Sequence, residues 1–236
     1  MNNIFLTAEW RKLIMANYII DPAILRPYLP SYTEIDYWDE NCYISIVGFM
    51  FMNTRIKKYP IPFHRNFEEV NLRFYVRYKD GNYWKRGVVF IREFVPLPMV
   101  AWVANTIYDE RYQFLPMHHN CVLMHDQLEV AYKWKKNKWH SISVEAKNQP
   151  AIITEGSKEE FITQHFWGYA KKRRYTSEYQ VAHELWKSYP VTGYNIDVKF
   201  EDCYGSEFKV LDHARPDSVF LIEGSPIQVH RDKKLF

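Results

Sequence analysis

Glycine is the first thing this chain lacks. It occurs 8 times in 236 residues, roughly half the share of about 7% found in average proteins. No two glycines lie two residues apart, and nothing reads G-x-x-x-x-G-K-[ST] or G-x-S-x-G. Phosphate-cradling turns and nucleophile elbows need glycine where backbone must approach closely or φ must turn positive. A dinucleotide-binding Rossmann enzyme, a P-loop NTPase and an α/β-hydrolase are therefore disfavoured.

Cysteine is scarce too. Cys42, Cys121 and Cys203 are odd in number, far apart and form no C-x-x-C. Neither a disulfide framework nor a zinc knuckle is indicated, and a reducing cytosol is the simpler setting. No run reaches about 18 apolar residues, so no transmembrane helix is expected. The N-terminal stretch lacks the basic and apolar regions of a signal peptide. The net charge of +3 is mild beside that of nucleic-acid-binding domains. The expectations are a cytoplasmic protein with neither nucleic acid nor membrane as partner.

Aromatic side chains are what is abundant, with 18 Tyr, 15 Phe and 8 Trp. Thr7 to Ala16 reads as a short helix, with Thr7 as an N-cap candidate that lacks the full capping box. Asp21-Pro22 opens a second helix through about Tyr28, with Asp as N-cap and Pro at the first helical position. The period then changes. Tyr43 to Met52 is a long buried strand. Phe67 to Tyr78 and Tyr83 to Val95 form a hairpin around Asp80-Gly81-Asn82. Met99 to Tyr108 reads as a helix. Strands follow near Met117–Met124, Leu128–Lys135 and Trp139–Ala146. Ser157-Lys158-Glu159-Glu160 carries a capping box that starts a helix. Trp167–Lys171, Tyr179–Trp186, Ile196–Phe200 and Val219–Ile222 read as strands. The pattern indicates an α+β, predominantly antiparallel β chain, with one domain over residues 1–236.

In Phe67 to Tyr78 the alternation is strict. Val70, Leu72, Phe74 and Val76 share one face, and Glu69, Asn71, Arg73 and Tyr75 share the other. The polar row is either the watered side of a half-exposed sheet or the wall of a polar pocket in a barrel. His165, Trp167 and Tyr169 repeat the theme around Gly168. They form either an aromatic core cluster or a pocket wall with a titratable group. His118 and His119 face opposite sides of a strand and cannot chelate one ion, so no metal site is expected. The Lys133–Lys138 run falls at a turn, where charges are usually solvated.

Several segments together resemble the YqjF-like family of uncharacterised bacterial proteins. They are Trp10 with Leu13, Asp21-Pro22 to Leu29-Pro30, Val47-Gly48-Phe49, Pro62 through Arg73, Arg86-Gly87-Val88-Val89-Phe90, Gly156-Ser157 to Tyr169, and Gly224-Ser225. The Glu69-Val70-Asn71-Leu72-Arg73 strand is the most specific. That family groups by fold with acetoacetate decarboxylase. The resemblance implies an antiparallel β-barrel or cone with a central cavity and short peripheral helices, and it favours the pocket reading of the polar row. It does not carry over the decarboxylase mechanism, which uses a lysine imine. In the stretch that corresponds, Met117 and His118 stand where the lysines would be, and Lys171-Lys172 lies elsewhere in the chain.

The resulting expectation is action on a small keto or hydroxy acid, or a lactone, without a Schiff-base lysine or other cofactor. Glu69, Arg73 and His165 are the expected catalytic residues. Asn71, Tyr75, Arg111, His118, Trp167 and Tyr169 are the expected substrate contacts. The alternative is a non-catalytic small-molecule-binding or assembly protein, and a homo-oligomer is left open.

Overall fold

The structure is a computed structural model that describes residues 4–57, 59–60, 64–100, 105 and 111–236. Its main strands are β1 (Ile4–Ile19), β2 (Asn41–Ile56), β3 (Phe67–Asp80), β4 (Tyr83–Val95), β5 (Met117–Met124), β6 (Gln127–Lys136), β7 (Lys138–Lys147), β8 (Trp167–Lys171), β9 (Thr176–His183), β10 (Val191–Asp197) and β11 (Ser218–His230). The helices are α1 (Pro22–Leu25), α2 (Lys158–Thr163) and α3 (Phe200–Tyr204).

The largest sheet closes on itself. Strands run in the order β11-β1-β2-β3-β4-β8-β9, and β9 pairs back onto β11 through Val181, Ala182 and His183. Within this ring only β4 and β8 are parallel. Closure removes the exposed edges and leaves an inner and an outer face on every strand. A second sheet, β10-β7-β6-β5, lies against the outer wall. Gly48 of β2 marks the contact: a Cβ there would come within 2.8 Å of both Tyr132 and Ile142. Any side chain would push the two sheets apart. The Tyr132 hydroxyl, buried in this seam, donates to the Lys12 carbonyl at 2.8 Å.

Two apolar clusters result. One fills the seam, with Leu72, Phe74, Trp134, Ile142 and Phe200. The other lies within the ring, with Met15, Phe49, Phe51, Tyr75 and Phe161. Helix α2 starts where Ser157 Oγ accepts from the Glu160 amide at 3.1 Å. It carries Phe161 against Tyr43, Tyr75 and His165 and so covers one end of the ring. No helix among the described residues is long and apolar enough to cross a membrane.

The expected helix over Thr7 to Ala16 is instead the middle of β1. The reason is a bulge. Lys12 adopts a left-handed φ of 54°, and the pairing with β2 shifts register between Arg11 and Ile14. The inserted residue brings Trp10 and Leu13 to the same side of a strand, three positions apart, which mimics helical spacing. The strand expected over Ile196–Phe200 stops at Asp197, and α3 begins at Phe200. The strand expected over Tyr179–Trp186 begins earlier and ends at His183. The helix expected over Met99 to Tyr108 falls mostly outside the described residues. The hairpin, the Asp21-Pro22 helix and the Ser157 cap are present as expected.

Candidate functional site

The ring encloses a cavity of about 210 Å³. Strand β3 supplies its polar wall. Because side chains alternate, Glu69, Asn71 and Arg73 all line the cavity, while Val70, Leu72 and Phe74 enter the seam. On β4, Val88 and Phe90 face inward. Alternation would bring Arg92 in next. A bulge intervenes: Arg73 pairs with Phe90 but Leu72 pairs with Arg92. The extra residue turns Glu93 into the cavity and sends Arg92 outward, where it donates to the Cys203 carbonyl at 2.8 Å.

The cavity has a chemical order along its length. Phe5, Ile56 and His64 are partly exposed and Met99 is well exposed, which places the mouth beside them. Next comes an aromatic belt. Trp10 sits edge-on to Phe49 at 5.3 Å, Phe51 at 5.9 Å and Trp186 at 6.3 Å between ring centres. Deeper, Glu69 accepts from Asn71 Nδ2 at 2.9 Å and from the Tyr112 hydroxyl at 3.0 Å. Arg73 lies deepest, next to the closed end made by Tyr75 and α2.

Arg73 is 6% exposed. Its Nη2 reaches Met15 Sδ at 3.9 Å, and its Nε has no hydrogen-bond partner. No carboxylate among the described residues lies within 4.0 Å of its guanidinium. A buried cation without a counter-ion is costly, by several kcal/mol. Other cavity residues also carry buried polar atoms without a hydrogen bond: Asn71 Oδ1, His165 Nδ1, Trp10 Nε1 and Thr54 Oγ1. Buried polar atoms are normally satisfied, so their grouping around this cavity makes it the candidate site.

His165 lines the deep end and is held from behind. Its Nε2 lies 3.2 Å from Asp36 Oδ2, which also accepts from Arg86 Nε at 2.7 Å. Burial pulls the His165 pKa down to about 4; the cations of Arg86 and Arg73 push the same way, and Asp36 opposes them. The imidazole is therefore neutral near pH 7. His183, stacked on Trp186 at 4.1 Å, is also lowered to about 4, mainly by burial and further by Arg73. Asp36 is held below the usual carboxylate range by His165 and Arg86, although burial opposes this.

The expected site residues divide. Glu69, Asn71, Arg73 and His165 line the cavity, and Trp167 borders it while its ring packs on the outer cluster beneath the Lys85 ammonium at 4.2 Å. Tyr75 lies beneath it, fully buried, its hydroxyl 2.7 Å from Ser45 Oγ. Tyr169 points the other way: Gly168 and Tyr169 alternate, and the Tyr169 hydroxyl donates to Glu178 at 3.0 Å in the outer cluster. Arg111 is exposed, with its guanidinium 5.3 Å from the Tyr28 ring. His118 is exposed on β5 and stacks on Trp139 at 5.3 Å, while Met117 enters the seam. Pro116 carries the chain away from β4 into the second sheet, so neither Met117 nor His118 bears on cavity chemistry. His119 lies 3.2 Å from Glu68, apart from His118. Among the described residues no lysine lines the cavity, and no three His, Cys, Asp or Glu side chains are placed to hold a metal ion.

Glu93, Tyr112, His183 and Trp186 line the cavity without having been singled out. Glu93 was masked by its bulge. Tyr112 and Trp186 lie outside the ring strands, where no alternation exists to read.

The architecture is that of the acetoacetate decarboxylase-like proteins. The chain is similar to the enduracididine biosynthesis enzyme MppR complexed with the condensation product of pyruvate and imidazole 4-carboxaldehyde. The TM-score is 0.68 and identity 11%, with 99% of this chain and 90% of that one covered. It is similar to acetoacetate decarboxylase from Legionella pneumophila subsp. pneumophila str. Philadelphia 1, with a TM-score of 0.66 and 11% identity over 100% and 90% of the two chains. An acetoacetate decarboxylase-like enzyme from Sphingomonas wittichii RW1 gives a TM-score of 0.65 and 9% identity over 100% and 94%. Within that fold the chain belongs to the DUF2071 family of uncharacterized conserved proteins, which it matches over residues 7–226. It is also 39% identical over 82 residues to the uncharacterized protein YqjF of Bacillus subtilis (strain 168). That stretch is 34% of this chain and about a third, 32%, of the length of the relative.

Proposed function

We propose that the cavity takes a small keto or hydroxy acid, or the lactone of one, and moves a proton on it without forming an imine. The observation that carries this is Arg73: a buried guanidinium, facing a cavity, with no carboxylate partner. A ligand carboxylate supplies the missing charge, through a charge-assisted and bidentate contact. The acid forms are therefore favoured over the lactone.

The proton acceptor is Glu69, held by Asn71 and Tyr112. It removes a proton from the carbon beside the keto group, and the electron pair moves onto the keto oxygen as an enolate. Arg73 stabilises that charge, the proton on Glu69 exchanges with solvent at the cavity mouth, and Glu69 then returns a proton to carbon. Aromatic walls exclude water and strengthen each of these interactions. The neutral His165, anchored by Asp36, offers Nδ1 as a hydrogen-bond acceptor for a substrate hydroxyl. The similarity in fold to acetoacetate decarboxylase supports a cavity of this kind and says nothing of its reaction.

The test incubates the protein with pyruvate in D2O and follows the methyl signal by proton NMR. Exchange of the methyl protons is expected with the wild-type chain and lost in Glu69→Gln. Calorimetric binding of pyruvate that Arg73→Leu abolishes, without exchange, would instead identify a non-catalytic binding protein. No binding of any keto acid, hydroxy acid or lactone would overturn the proposal.

A further inference from the structure

We infer that the acid bound by this cavity carries an aromatic ring, seated in the belt around Trp10 while its carboxylate meets Arg73. The inference rests on the reading of Arg73 given above and names the class of molecule more narrowly. Its first support is the order of groups along β3. Phe67 lies near the mouth and Arg73 at the closed end, six residues or about 20 Å apart along the strand. Across the cavity the belt and the guanidinium are nearer: His183 feels the Arg73 charge and stacks on Trp186 of the belt at 4.1 Å. A molecule with its carboxylate on Arg73 has its other end directed toward Trp10, Phe49 and Phe51.

Size is the second support. A cavity of about 210 Å³ has the volume of about seven liquid waters. A three-carbon keto acid leaves much of that space empty and leaves the apolar belt facing nothing. Filling it with ring atoms buries apolar surface on both sides.

The third support separates a ring from an alkyl chain. Trp10 meets Phe49, Phe51 and Trp186 at interplanar angles of 62°, 85° and 60°. Edges and faces are thus both presented to the cavity, the arrangement an added ring prefers at about 4.5–7 Å between centres. The Trp10 indole N–H is buried and has no hydrogen-bond acceptor. The face of an aromatic ring, or a polar atom on it, accepts such a donor; a saturated chain does not.

The test measures dissociation constants on the full chain by calorimetry for phenylpyruvate, pyruvate, octanoate and the uncharged 2-phenylethanol. Phenylpyruvate is expected to bind at least tenfold tighter than each of the others. Trp10→Leu is expected to cut phenylpyruvate affinity at least tenfold and to change pyruvate affinity less than twofold. Should that variant fail to fold, Phe51→Leu is measured the same way. Equal binding of pyruvate or octanoate overturns the aromatic class and leaves the reading of Arg73 standing. Equal binding of 2-phenylethanol, or no binding of any acid, overturns both.

Discussion

Strand β3 presents two faces that are equally buried and chemically opposite. Val70, Leu72, Phe74 and Val76 are all at 0% exposure and enter the seam beneath the second sheet. Glu69, Asn71 and Arg73 are nearly as buried, yet they face the cavity. In the seam apolar surfaces meet, although Trp134 Nε1 and the Tyr204 hydroxyl are also buried there without a hydrogen bond. In the cavity, buried polar atoms of Asn71, Arg73 and His165 have no hydrogen bond. Burial alone does not distinguish a core from a site. The distinction lies in charge beside open space: the cavity face sets a guanidinium and a carboxamide around a void, and the seam face of the strand carries only apolar side chains.

Four perturbations probe that contrast. The largest effect of a single substitution is expected on the seam face. Phe74→Ala leaves a void in a fully packed layer and should cost about 3–5 kcal/mol, read from urea unfolding. A loss under about 1 kcal/mol would mean that the seam is not the stabilising core.

Acidification acts on the cavity face. His165 and His183 are held neutral in the fold, each with a pKa of about 4. The unfolded chain protonates them near 6.5. Between those values the unfolded state binds more protons, so stability falls as pH drops from about 6.5 to about 4 and levels off below. Each histidine is expected to contribute about 3 kcal/mol across that window. Urea midpoints measured against pH should fall less steeply for His165→Gln than for wild type. An unchanged slope would remove His165 from this account.

Arg73→Leu is expected to leave stability unchanged or raise it by about 1 kcal/mol or more, since it removes a buried charge without a partner. Binding of keto acids should fall at least 100-fold by calorimetry. A loss of several kcal/mol on unfolding would show Arg73 to be structural and erase the difference between the two faces. Tyr75→Phe should have the smallest effect. It removes the hydroxyl that meets Ser45 beneath the cavity, at about 1 kcal/mol in thermal unfolding, and ligand affinity should hold.

Much of this architecture was legible in the chain. The β3–β4 hairpin followed from alternation on both sides of Asp80-Gly81-Asn82, and the α2 cap from Ser157 and Glu160. The illegible parts share a cause. Bulges at Lys12 and in β4 break the period of two, so Thr7 to Ala16 did not read as a strand and Glu93 was hidden. Arg111 and His118 were placed with the site by the resemblance to the decarboxylase stretch, and Tyr169 by alternation with His165 and Trp167; the structure sends each elsewhere. Their elements leave the ring or face its outside, and nothing local records that.

The shortage of glycine determined what this protein is not, because close phosphate contact requires backbone that only glycine allows. Alternation along β3 determined that Glu69, Asn71 and Arg73 share a face, because successive side chains in a strand point oppositely. Which face became the inside was decided only when β9 paired with β11 and closed the ring. That pairing joins residues far apart in the chain. The energy that selects it comes from packing across the seam and the cavity rather than from any local preference.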